Sequence, residues 1–476
     1  MRYIINRWRG KAGYKEILVL ALPLIISTAS WSIQHFVDRM FLAWYSPEAI
    51  AAALPAGMLN FTILSLFIGT AGYVSTFASQ YYGAERYDRI GPSVWQGIYI
   101  AAGASLVFIM LYPFAGAVFG LVGHEEAVMR EETVYFRMLC FGAGPAVASA
   151  ALAGFFSGIG KTSIVMYVNI AATAFNIVLD YILIFGAGFI PSLGIAGAGI
   201  ATSLSAVFAM LLYFGILFTS GYSKSFNTIK GWRFDREIFA RLIRYGLPSG
   251  IQFFIEITGF TLFLLFMGRL GITGLASTNI AFNISTLAFM PMIGLGIAVS
   301  ILVGQNLGSN RPDNAAYCVY SGLHIALFYM GTVAIMFFFV PGIFILPFTL
   351  GSGGAEFAEI KITVAVLLKF IAVYNLFDAF NIIFANALRG AGDTRYVMFA
   401  MTTITAVVFV VPVYIVLFVL EMGIYGGWTI AAIYVMALGI AFFVRFLRGK
   451  WKKMRVIEDT VIVIPPKMPE GQVSGY

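Results

Sequence analysis

Hydrophobic runs dominate this chain, and they are too long and too rarely interrupted to be the inward stripes of soluble helices. The stretches from Ala49 to Ala84 and from Leu270 to Asn310 contain no Asp, Glu, Lys or Arg. Each exceeds the roughly 20 residues needed to cross a hydrocarbon core. Read between charged or Gly/Pro-rich breaks, the apolar runs predict twelve helices, beginning near residues 15, 49, 93, 131, 163, 193, 241, 274, 316, 359, 396 and 424.

The pattern also repeats. "VSTFASQYYGAERYD" at 74–88 matches "VSILVGQNLGSNRPD" at 299–313 in six of fifteen positions without a gap, an offset of 225 residues. The same offset pairs Leu22 and Pro23 with Leu247 and Pro248, and a nearby one pairs "GIGKT" (158–162) with "GAGDT" (390–394). Six helices per unit is an even number, so both units enter the bilayer from one side and are related by an axis along the membrane normal. In transporters built this way the substrate lies between the repeats, which rock against each other. The expected fold is an all-α membrane protein with twelve transmembrane helices in two pseudo-symmetric six-helix bundles, as parallel repeats. Its parts are an N-lobe (1–220), a cytoplasmic linker (221–240), a C-lobe (241–455) and a disordered cytoplasmic tail (456–476).

Composition agrees: 60% of the 476 residues are hydrophobic and 11% charged, against about 45–50% and about 25% in ordinary globular chains. Charge adds an orientation. Of the 30 Lys and Arg, all but Arg39, Arg130, Arg137, Arg269, Lys361 and Lys369 fall on the side of the N-terminus. By the positive-inside rule both termini are cytoplasmic. Acids such as Glu48, Glu125, Glu126, Glu131, Glu132 and Glu421 gather on the other side. The net charge of +8 is then a topology signature, and no nucleic-acid partner is expected. The basic start "MRYIINRWRGKAGYKE" leads into a long apolar run without a cleavage site, so it reads as a cytoplasmic leader. Cys140 and Cys318 lie in apolar runs and imply no disulfide.

Soluble chemistry finds no complete motif. "GFFSGIGKT" has five residues between Gly154 and Gly160 where a phosphate-binding loop has four, and its repeat partner carries Asp393 in place of Lys161. A tight interhelical turn fits better. "HEEAV" at 124–128 has Val128 where a zinc helix needs its second His. No enzyme activity and no cofactor are expected.

Acids inside the membrane are more informative. A charge at mid-bilayer costs about 2.5–3.5 kcal/mol on insertion scales and usually marks an ion or substrate path. Asp38, Asp180, Glu256 and Asp378 interrupt predicted helices 1, 5, 7 and 10, each one turn after a polar residue on the same face: Gln34, Asn176, Gln252 and Tyr374. Such pairs make oxygen-rich pockets for a hard cation or a proton. Blander readings stand beside each: Asp38 at the interface, Asp180 snorkelling to the headgroups, Glu256 and Asp378 as interhelical glue. His35 is an accessory to the Asp38 pocket or a satisfied bundle histidine.

Together, "QHFVDRMFLAW" in helix 1, "FNIVLDYIL" in helix 5, "GIAGAGIATSLS" in helix 6 and "RGAGDT" after helix 10 resemble the multidrug and toxic compound extrusion (MATE) transporters. The resemblance covers residues 15–450. It implies export of bulky, mostly cationic drugs in exchange for inward Na⁺ or H⁺, by a monomer in the cell membrane. It also implies an N-lobe cation site, a Na⁺ candidate, at Asp38, Asn176, Asp180 and Thr202. A C-lobe site at Glu256, Tyr374 and Asp378 resembles that of the NorM-like branch. The alternatives are a lipid-linked oligosaccharide flippase of the same superfamily and, further off, a passive channel.

Overall fold

A computed structural model describes residues 7–8, 10, 12–121, 123–188, 190–219, 221–349 and 355–458. Among them twelve helices are long and apolar enough to span a membrane. The N-lobe contains α1 (Tyr14–Tyr45), α2 (Pro47–Gly83), α3 (Tyr87–Gly120), α4 (Glu126–Gly158), α5 (Thr162–Phe185) and α6 (Ile195–Phe218). The C-lobe contains α7 (Arg236–Gly268), α8 (Thr273–Gly308), α9 (Pro312–Phe339), α10 (Glu359–Ala391), α11 (Thr394–Phe418) and α12 (Gly423–Leu447). Every start lies close to the position expected from the hydrophobic pattern. No strand occurs among the described residues.

Local chemistry sets the boundaries. Ser46 caps α2 by accepting from the Ala49 N–H at 3.0 Å, with Pro47 at the first turn. Asp235 caps α7 through the Glu237 and Ile238 N–H groups, both at 3.0 Å, so this helix begins inside the stretch assigned to the linker. The "GIGKT" and "GAGDT" loops are tight turns: Gly160 has φ +81° and Gly392 φ +101°, a region costly for any residue with a Cβ. Asp393 does not face a phosphate. Its carboxylate takes a bidentate ion pair from Arg445, at 2.7 and 3.1 Å.

Buried side chains form three clusters, and their distribution gives the molecule its shape. One lies in the N-lobe alone, near the acidic ends of the helices, around Phe41, Phe119, Phe136 and Ile184. A second lies in the C-lobe alone, at the corresponding depth, around Phe263, Leu367, Val413 and Trp428. The third takes residues from both lobes, nearly all from the half that carries the termini, including Leu20, Phe77, Phe155, Leu302, Leu388 and Phe446. The lobes are thus fused at the basic face and separately packed at the other, like a V open towards the acidic face.

The fused end follows the sequence repeat. A Cβ on Gly83 would stand 2.0 Å from the Gln305 carbonyl oxygen, and one on Gly308 would stand 2.1 Å from that of Gln80. The two contacts are the same contact seen from each repeat. Gln80 Nε2 donates to the Gly390 carbonyl at 3.0 Å, and its counterpart Gln305 Nε2 donates to the Gly158 carbonyl at 2.8 Å. The repeated Q-x-x-G element therefore clasps the other lobe twice, once in each direction.

The start of the assigned tail is not disordered. Val456 and Ile457 are buried in the shared cluster, and the Val456 N–H donates to Gln80 Oε1 at 2.9 Å. Glu458 forms ion pairs with Arg86 at 3.0 Å and Arg89 at 2.8 Å. The apolar Val-Ile pair and one acid facing two N-lobe arginines dock this segment across the lobes; residues 459–476 lie outside the described residues. At the other terminus Arg7 reaches the C-lobe, donating to Ser321 at 3.1 Å and lying 3.2 Å from His324 Nδ1.

Candidate functional site

In the N-lobe the structure brings Asp38 of α1 and Asp180 of α5 together. With its NH₂ turned to the acids, as its neighbours require, Asn176 places Nδ2 3.0 Å from Asp38 Oδ1, 3.2 Å from Asp180 Oδ2 and 3.1 Å from the Gln34 amide. The carboxyls of Asp38 and Asp180 are themselves within hydrogen-bonding reach. Asp38 is 5% exposed and Asp180 and Asn176 are fully buried, so neither acid is interfacial or snorkelling.

Two carboxyl oxygens in contact need a positive species between them, a proton or a cation. Asp180 Oδ1 is buried without a hydrogen-bond partner and so is open to a ligand; on α6, Thr202 Oγ1 is likewise buried and unpartnered. Carboxyl oxygens of this kind suit a hard monovalent ion or a proton. Among the described residues no three His, Cys, Asp or Glu side chains come together. His35 stands outside the pocket: it is exposed, and its ring meets Trp31 edge-on at 4.9 Å.

The C-lobe acids are arranged differently. Asp378 of α10 accepts from Asn381 Nδ2 at 3.1 Å and is 7% exposed. Glu256 of α7 is only partly buried and makes no hydrogen bond or ion pair with the described residues. Tyr374 is 8% exposed, and Gln252 is 2% exposed with its Oε1 unpartnered. No side chain bridges Glu256 to Asp378, in contrast to Asn176 in the N-lobe.

Several polar neighbours escaped the sequence reading. Tyr135 of α4 lies within electrostatic reach of Asp38 and Asp180; Tyr434 of α12 does the same for Glu256 and Asp378. Both are aromatic residues in apolar runs, with no local signal. Asn381 was within range of the argument, since it sits one turn beyond Asp378 on the same face. Glu132, assigned to an acidic outer loop, is fully buried on α4 and lies 2.8 Å from His124 Nδ1.

Where the V closes, a cavity of about 360 Å³ lies between the lobes, lined by Ser27, Thr28, Asn169, Ser249, Asn386 and Arg389 among others. Phe253 also lines it and continues through Phe61 to Trp31, with ring separations of 5.9 and 5.4 Å, an aromatic chain that crosses from one lobe to the other. A larger depression, about 490 Å³, lies among linker residues Lys230 to Glu237. None of Asp38, Asp180, Glu256 and Asp378 lines it.

Comparison with known proteins bears on the whole chain. The MatE family profile matches residues 23–182 and 248–416, one match in each repeat. A probable multidrug resistance protein NorM from Shewanella oneidensis is 29% identical over 447 residues, covering 90% of this chain and 94% of that protein. The multidrug resistance protein PmpM of Pseudomonas aeruginosa is 29% identical over 402 residues, 82% of this chain and 81% of that one. Among solved structures, a MOP superfamily transporter from Pyrococcus furiosus superposes with a TM-score of 0.82 at 23% identity, covering 94% of this chain and 99% of the other.

Proposed function

The chain belongs to the MatE family, and from that premise we propose that it is a secondary multidrug efflux antiporter, exporting amphipathic, mostly cationic compounds in exchange for inward Na⁺ or H⁺. Relatives that cover nearly its full length are named as multidrug resistance proteins. The observation that carries the exchange reading is the Asp38–Asn176–Asp180 cluster, buried in one lobe of a V whose interior is flanked by two further acids. Both termini lie on the cytoplasmic side, so the V opens outward. The protein works as a monomer and needs no cofactor beyond its coupling ion.

The exchange follows from competition for charge. A cation or proton entering from outside neutralises the Asp38–Asp180 pair and removes the repulsion between two carboxylates across the α1–α5 contact. That change biases the V, while drug held near Glu256 and Asp378 leaves into the outer medium. Reclosing at the outer face requires the Gln80 and Gln305 clasps to open. One charge moving through 100 mV supplies about 2.3 kcal/mol, roughly fiftyfold in gradient, so no nucleotide is required. Apolar and aromatic walls tolerate varied shapes, while a few acids select for positive charge.

Proteoliposomes loaded with a fluorescent organic cation, given a Na⁺ gradient or a pH gradient one at a time, test this reading. Efflux driven by one of the two supports it and names the ion. Dye movement indifferent to both gradients would leave a passive pathway as the better account.

A further inference from the structure

Arg389 sits in the cavity between the lobes, and nothing in the exchange of cations uses it. It lies eleven positions beyond Asp378 on α10, roughly 16 Å along the helix. The residues lining the cavity include Ser, Thr and Asn side chains, but no Asp or Glu. Arg389 donates through Nη2 to Asn386 Oδ1 at 3.0 Å and its Nε is buried without a partner; Glu256 lies within electrostatic reach, but the two form no ion pair. The hydroxyls of Ser249 and Ser300, which also line the cavity, make no hydrogen bond among those residues.

A guanidinium keeps its charge under all ordinary conditions and offers a planar fork of donors that matches a carboxylate. Partly buried, with one neutral side-chain acceptor and Glu256 near but not paired with it, it leaves donor capacity unanswered in the cavity. We propose that Arg389 and the surrounding hydroxyls form an anion subsite for the carboxylate of a small-molecule substrate. The interlobe space then carries opposite charge at its two levels: acids at Glu256 and Asp378, and a cation deeper in. It accepts zwitterions as well as plain cations. This deepens the efflux reading above and rests on it for transport, though not for binding.

The probes are rhodamine B, a zwitterion with a free carboxylate, and rhodamine B ethyl ester, the matching cation. Binding to the purified full-length chain is followed by fluorescence anisotropy. In the unsubstituted protein the zwitterion is expected to bind at least as tightly as the ester, despite the acids that favour the ester. In Arg389→Gln the ratio of zwitterion to ester affinity falls by about tenfold or more, as expected for a lost charge-assisted hydrogen bond, and Arg389→Lys recovers part of it. An unchanged ratio in Arg389→Gln overturns the subsite. Should that variant fail to fold, the unsubstituted protein decides: ester bound more than about tenfold tighter than zwitterion also overturns it. Gradient-driven efflux of the ester tests the antiporter reading separately, so a protein that exports the ester yet ignores the carboxylate loses the subsite alone.

Discussion

The two lobes share a fold, a repeat and a pair of membrane acids, yet they hold those acids in different ways. In the N-lobe, Asp38 and Asp180 lie within hydrogen-bonding reach, an amide bridges them, and both are buried. In the C-lobe, Asp378 is tied to a neighbour on its own helix, and Glu256 makes no hydrogen bond or ion pair among the described residues, with Arg389 and Asp378 in electrostatic reach. A closed acid pair must hold a small ion or a proton, because nothing larger fits between contacting oxygens. An open acid beside a cleft can face an organic cation of any shape. On the proposed function, this contrast divides the work: coupling in the N-lobe, substrate charge in the C-lobe.

Asp38→Asn is the sharpest way to break that division. Removing one partner of a buried charged cluster costs about 3–5 kcal/mol, so gradient-driven efflux should fall more than about a hundredfold, towards the level of protein-free vesicles, while membrane insertion stays normal. Ion-driven efflux that survives this change would move coupling out of the N-lobe. Glu256→Gln should act more mildly and on a different quantity. Losing one open acid should raise the dissociation constant of a cationic dye about tenfold, equivalent to about 1.4 kcal/mol, while the dependence of efflux on the gradient remains. Loss of coupling in Glu256→Gln would reverse the assignment of the lobes.

The clasp at the basic face is where the lobes are alike, and it sharpens the contrast. Each Gln-to-carbonyl bond contributes about 1 kcal/mol, so Gln305→Ala should shift the balance between closed and open basic face about fivefold. Gln80→Ala should do more, since Gln80 also accepts the Val456 N–H. The labelling rate of a Ser79→Cys reporter, at a site fully buried here, reads both. Equal effects would mean that the docked tail adds nothing to the clasp.

The smallest effect concerns Glu458. Burial opposes its charge, but hydrogen bonds from Arg89, its own backbone and Tyr81, with Arg86 close by, outweigh burial and hold the carboxyl at about 2. The folded value lies below the ordinary value of 4.5, so the docked segment gains stability that is complete above pH 4.5 and is lost as pH falls towards 2. Between pH 6 and 8 thermal unfolding of the native chain should show no contribution from this group. Glu458→Gln should lower the unfolding temperature slightly and equally across that range, and a pH-dependent difference between the two proteins there would contradict the docked geometry.

Much of the site was legible because a carboxylate in an apolar run is a local signal. Asp38, Asp180, Glu256 and Asp378 are conspicuous in sequence, and helical spacing alone puts Gln34, Asn176 and Tyr374 on the matching faces. Arg389 was read as one more basic residue of an inner loop, since the count of positive charges treats every arginine near a helix end alike. Glu132 stands among the acids that gather at the opposite ends of the helices, and its position alone does not set it apart from them. Burial separates such residues from true loop charges, and burial depends on neighbours distant in the chain.

From the sequence alone came the spans, the repeat and the acids, because bilayer thickness and helical period are imposed on the chain residue by residue. Only the tertiary structure decided which acids meet, which face is closed and where the tail lies. Those outcomes depend on distances between helices that no local pattern encodes: Asp38 and Asp180 are more than a hundred residues apart, and the two Gln clasps join residues of opposite lobes.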